Sequence, residues 1–167
     1  MEGIQFDFWN VEVGIPSFLI KARFQPRGDM LLFLNNPTYL SFYFEDVEML
    51  PLGTKYQFKG IKQPGMTINR EAISFMSILD KSDMERMQLL AAKRTMVFYT
   101  EWFAIRGDFH VNSETPSENI FDEKNEYFPL TDAKVYPLRK MMNKPITEVP
   151  GLLLNRTVIL SYHAHQE

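Results

Sequence analysis

The chain has no cysteine among its 167 residues. Disulfide staples, thiolate metal ligands and a cysteine nucleophile are therefore excluded. Histidine is scarce, with 3 copies. His163 and His165 would share one face of a strand, but no third ligand accompanies them, so a solvated tail is the simpler reading and no metal is expected. No apolar run approaches the roughly 18 residues of a membrane-spanning helix. Met1-Glu2-Gly3-Ile4 lacks the basic start of a signal peptide, which points to a cytoplasmic protein. An excess of positive charge is also missing. Residues 1–80 carry 7 basic and 9 acidic side chains, residues 81–167 carry 11 and 12, and the net charge is −3. Such a balance argues against anionic membranes and against a partner held mainly through phosphates. There is no P-loop, dinucleotide-binding glycine pattern, nucleophile elbow or H-E-x-x-H. Asp46 and Asp132 lack a partner base or second carboxylate, apart from Glu45. A non-enzymatic protein without cofactors is expected.

What is present is aromatic and repetitive. The chain has 14 Phe, 7 Tyr and 2 Trp, ample for a core. Pro64-Gly65-Met66-Thr67-Ile68-Asn69-Arg70 returns as Pro150-Gly151-Leu152-Leu153-Leu154-Asn155-Arg156, and Asp46 to Leu52 returns as Asp132 to Leu138, both at an offset of 86. Arg27-Gly28-Asp29 returns as Arg106-Gly107-Asp108 at an offset of 79, which a seven-residue insertion before Tyr127 would explain. The pattern reads as an internal duplication. Each unit of about 70 residues is too small for a secure core, so the two are expected to bury their apolar faces against each other. The expected division is residues 1–80, a connecting helix over 81–94, and residues 95–167.

Alternation predicts a strand or arm at 4–13, then strands at 18–24, 30–34, 39–50, 56–60, 66–68 and 72–78, with turns at 25–28, 35–38 and 63–65. The second unit predicts strands at 96–105, 109–111, 127–136, 152–154 and 158–162, with a short piece at 146–149. Ser82 and Glu85 have capping-box spacing. Met84, Met87, Leu90 and Ala91 then recur at helical spacing, which predicts a helix over 82–93. Its methionines read first as core and second as a partner-binding stripe.

Two kinds of candidate site stand out. Arg27 and Arg106 flank glycines read as strand-to-strand turns, where Arg and Asp could pair across the turn or meet a ligand. Asn69-Arg70 and Asn155-Arg156 occupy sharp corners between apolar runs. Asn suits the corner, and Arg there is available to a carboxylate or phosphate. The acidic insertion with Glu114, Glu118, Asp122, Glu123 and Glu126 has no calcium-loop spacing and reads as a solvated loop or a contact for a basic partner.

The order of strands, glycine turn, long strand and Asn-Arg corner resembles a duplicated small β-barrel of the Sm-like or SH3-like type, over about residues 18–79 and 95–163. The chain is also similar to uncharacterised bacterial two-repeat proteins of this kind. The resemblance implies a mainly β fold, two barrels with pseudo-two-fold symmetry and a short connecting helix. In Sm-like chains the corner residues, with an aspartate–asparagine pair after the second strand, often bind bases; Asn35-Asn36 stand near that place in the first unit without the aspartate, and Asp122 and Asn125 in the second, so the base-binding set is incomplete. The first expectation is a protein-interaction or assembly module that self-associates through open edges. The alternative is single-stranded RNA or nucleotide binding at Asn69, Arg70, Asn155 and Arg156.

Overall fold

A computed structural model describes residues 7–112, 114, 116 and 125–166. The chain runs β1 (Trp9–Ile15), β2 (Phe18–Phe24), α1 (Met30–Asn35), β3 (Ser41–Pro51), β4 (Ile61–Asn69), β5 (Phe75–Ile78), α2 (Lys81–Glu85), β6 (Lys93–Tyr99), β7 (Phe103–His110), β8 (Tyr127–Pro137), β9 (Glu148–Asn155) and β10 (Ser161–Ala164). All ten strands form one antiparallel sheet in the order β10-β6-β7-β8-β9-β5-β1-β2-β3-β4. The fold is mainly β, and no described helix is long and apolar enough to cross a membrane.

The chain crosses from one half to the other at β5, which pairs with β1 on one side and β9 on the other. Two cores form, and each borrows from the opposite half. Phe24, Phe33, Phe42, Phe44 and their neighbours take in Tyr127 and Leu153. Phe98, Phe109, Phe128 and theirs take in Leu19, Leu52 and Phe75. Small units that cannot each bury enough apolar surface are completed in this way. β5, buried at all four positions, is the seam.

Local details recur at the offset of 86. β3 and β8 have equal lengths, as do β5 and β10. Asp46 (φ 50°) and Asp132 (φ 49°) each adopt a left-handed conformation at the extra residue of a bulge. Asp tolerates that region better than most residues. Pro64 and Pro150 lie opposite these bulges, where the ladder is already interrupted. Short 3-10 turns follow at Arg70–Ala72 and Arg156–Val158. Yet equivalent strands do not meet each other, as a two-fold axis would require, because β9 joins β5 head to tail.

Several expectations need correction. Met30–Asn35 is a helix, not a strand. The Asp29 carboxylate accepts the Leu32 N–H at 3.0 Å, and Met30, Phe33 and Leu34 point inward together. The helix at 82–93 stops at Glu85, and Asp80, not Ser82, precedes it. Met84 and Met87 are core residues. Residues 56–60 form no strand, and Gln63-Pro64-Gly65 lies within β4 instead of turning. Met96 to Ile105 is two strands, split at Thr100, whose hydroxyl accepts the Phe103 N–H at 3.1 Å. The two Arg-Gly-Asp copies are not equivalent. Gly28 (φ 78°) lies in the loop from β2 to α1, whereas Gly107 lies inside β7 at the bulge, where a Cβ would stand 3.0 Å from Leu130 Cβ. Residues 4–6 of the proposed arm, and Glu118, Asp122 and Glu123, lie outside the described residues.

Candidate functional site

The two Asn-Arg corners are drawn toward one place, the start of β8 at the seam. Arg70 is only 11% exposed in its side chain. Its Nε donates to Leu34 O at 3.0 Å, its guanidinium pairs with the Glu126 carboxylate at 2.5 Å, and it lies over the Tyr127 ring at 5.5 Å. From the second corner, Asn155 is fully buried. Its amide donates to Ile73 O at 2.9 Å, and its oxygen accepts from the Thr157 N–H and hydroxyl. The Arg156 N–H donates to Glu126 O at 2.7 Å.

Tyr127 is the centre of this knot. It has no exposed surface, and its hydroxyl donates to Arg70 O at 2.6 Å. Asn35 clasps its backbone from both sides, donating to Tyr127 O at 2.9 Å and accepting from Tyr127 N–H at 2.8 Å. Burial, then the neighbouring Glu126 charge, push the phenol above its ordinary pKa, against the pull of Arg70, so it stays a donor. Asn35, Arg70 and Asn155 therefore hold the two halves together. Asn69 alone of the corner residues is exposed, at the end of β4.

Arg27 and Arg106 are far apart in role. Arg27 is exposed at the rim of an open cleft of about 640 Å³ floored by Phe24, Phe33 and Phe42. Arg106 sits mid-strand on β7, between Val97 of β6 and Lys134 of β8. A second hollow of about 470 Å³, lined by Tyr39, Leu40, Asn69 and Arg70, lies beside the first corner.

The perturbed carboxylates stand apart from these hollows. Glu12 is buried in β1, and its Oε1 accepts the Ile146 N–H at 2.8 Å, so the segment between β8 and β9 is strapped onto the first half. Desolvation raises its pKa, opposed by that hydrogen bond and by Lys21. Burial pushes Asp108 upward, but the Thr95 hydroxyl at 2.7 Å and Lys93 at 3.2 Å outweigh it and hold the carboxyl below its ordinary range. His110 bonds Leu90 O and Thr131, and His163 bonds the Tyr99 hydroxyl. No group of three metal-ligating side chains occurs among the described residues.

Among the described residues, the edge strands β4 and β10 each have a neighbour on one side only. Exposed apolar side chains flank both: Leu40 (79%) and Tyr43 (59%) beside β4, and Leu160 (73%) just before β10. The sequence points to the corners but not to the joining roles of Tyr127, Asn35 and Glu12, whose partners lie between 57 and 134 residues away in the chain. No protein-family model matches the chain, nor does any curated protein or solved structure.

Proposed function

We propose that the chain is a non-enzymatic assembly module of the cytoplasm, a duplicated small barrel of the Sm-like or SH3-like kind, with units at 1–80 and 95–167 joined by 81–94. It holds other polypeptides by adding a strand to an open edge. The observation that carries this reading is the pair of edge strands, β4 and β10, each open on one side among the described residues and each with a large exposed apolar side chain beside it. Unpaired backbone groups on an edge are a template for another strand, and neighbouring side chains supply selectivity. The perturbed ionisable groups support it too. Glu12, Asp108 and Tyr127 each anchor backbone or a strand partner, Asp83, which burial pushes upward, pairs with Arg86, and the four do not converge on one cleft.

The RNA reading asks the Asn-Arg corners to be available, and Arg70 and Asn155 are committed to Glu126, Leu34 O and Ile73 O. The test is the native mass of the protein from its own cytosol, with and without nuclease, for the wild type and for Thr67→Pro. Proline is tolerated on an edge strand whose N–H faces solvent. The reading expects a particle heavier than the 19.6 kDa chain, resistant to nuclease and lost in the variant. A wild-type particle of single-chain mass, or one that nuclease dissolves, contradicts it.

A further inference from the structure

The seam between β5 and β9 is a worked example of how this chain joins two of its own edges. Phe75 stands opposite Leu154, Met76 opposite Leu153, Ser77 opposite Leu152 and Ile78 opposite Gly151. The Asn155 N–H donates across the seam to Ser74 O at 2.9 Å. Shifted by 86 residues, the same pairing involves the two strands left open. β10 stands in its half where β5 stands in the other, next to β6 as β5 is next to β1. β4 stands where β9 stands, next to β3 as β9 is next to β8.

The supporting hydrogen bonds coincide as well. Ser74 N–H donates to Gly14 O, and Leu160 N–H to Tyr99 O. Leu79 N–H donates to Asn10 O, and His165 N–H to Thr95 O. Arg70 N–H donates to Leu40 O, and Arg156 N–H to Glu126 O. Each open edge is thus the unused counterpart of an edge already paired inside the molecule.

We infer that β10 of one copy adds to β4 of a second copy in the register of the internal seam, Ser161 opposite Ile68, Tyr162 opposite Thr67, His163 opposite Met66 and Ala164 opposite Gly65. This inference rests on the edge-addition reading above and names its partner. The four β4 positions, Gly65 to Ile68, carry no charge, and the charged Lys62 falls outside the ladder. Pro64 does not obstruct it, since its counterpart Pro150 lies in β9, which is paired on both sides. The contact also places the exposed Leu160 and Leu40 at the same junction, since their counterparts Ser74 and Glu126 flank the internal one. Such a contact is head to tail, so growth gives rings or filaments and not a closed two-fold dimer. It is also weaker than the seam. Thr67 replaces Leu153, and Ser161 replaces Phe75, so less apolar surface leaves water. Association is reversible and concentration-dependent.

The absence of native cysteine makes a cross-linking test clean. Met66→Cys and His163→Cys are made in separate chains, mixed and mildly oxidised. Directly opposed Cα atoms of an antiparallel pair lie about 4.5–5.5 Å apart, within disulfide reach. The mixed 66–163 dimer is expected to exceed either homodimer by about tenfold, and also the Thr67→Cys with His163→Cys pair, which is one residue out of register and on the opposite face. Sedimentation of the purified wild type is expected to show mass rising from about 5 to 500 µM, a range suited to micromolar affinity, and Thr67→Pro is expected to abolish the rise. A single-chain mass throughout, or a dominant 66–66 or 67–163 product, overturns the inference. If the purified chain stays monomeric while the native particle is heavy and still lost in Thr67→Pro, the partner is another protein and edge addition stands. If both are monomeric, both readings fall.

Discussion

Tyr127 does more for this molecule than its place in the sequence suggests. Its hydroxyl reaches Arg70 O, its backbone is clasped by Asn35, and its ring lies under the Arg70 guanidinium. Replacing it with Phe keeps the ring and removes one of two donors to the Arg70 carbonyl, which retains the Ile73 N–H at 3.2 Å. Tyr127→Phe is expected to cost about 0.5–1.5 kcal/mol in denaturant unfolding, with an unchanged m-value. Glu12 behaves in the opposite sense. Its folded-state pKa is raised, so the native protein binds that proton more tightly than the unfolded chain. Stability is therefore lost as pH rises from the unfolded carboxyl value through the folded one. Gln keeps an oxygen for the Ile146 N–H without the buried charge. Glu12→Gln is expected to raise the melting temperature near pH 7, and the gain is expected to vanish below about pH 4, where both carboxyl forms are protonated. A gain independent of pH would show that something other than the buried charge is responsible.

At the scale of elements, short apolar stretches are decided by contacts a sequence does not display. Met30-Leu31-Leu32-Phe33-Leu34 fits a buried strand or one helical turn equally well; the Asp29 cap and the inward trio of Met30, Phe33 and Leu34 settle it as helix. β3 and β8 were legible because each alternates over many residues around an aspartate, and the bulges at Asp46 and Asp132 fall where the repeat places them. The corners were legible as corners, but the fate of Arg70 was not, because its partner Glu126 arrives from the other half. The repeated Arg-Gly-Asp misled because Gly28 answers to backbone conformation and Gly107 to close packing on Leu130. α2 docks through one similar close approach. Met84 lies where a Cβ of Gly151 would be. Gly151→Ala is expected to destabilise by about 1–3 kcal/mol through overpacking. Trimming the thioether with Met84→Ala in the same chain is expected to recover part of that loss, giving a favourable coupling in a double-mutant cycle. Additive losses would mean that α2 does not rest on β9.

The whole molecule is a single ten-stranded sheet, joined at β5–β9 and, among the described residues, open at β4 and β10. Two cores that trade Tyr127, Leu153, Leu19, Leu52 and Phe75 across the seam make the halves one cooperative body. Residue-resolved amide hydrogen exchange tests this most directly. The Asn155 N–H crosses the seam to Ser74 O, and the alternation of an antiparallel ladder turns the Leu153 and Gly151 amides the same way. Their counterparts Asn69, Thr67 and Gly65 face outward from β4. The account predicts that Gly151, Leu153 and Asn155 exchange only through global unfolding, whereas Gly65, Thr67 and Asn69 exchange fast in dilute solution and slow down as concentration rises. Equal exchange at the two sets in dilute protein, or fast exchange at Leu153, would contradict it.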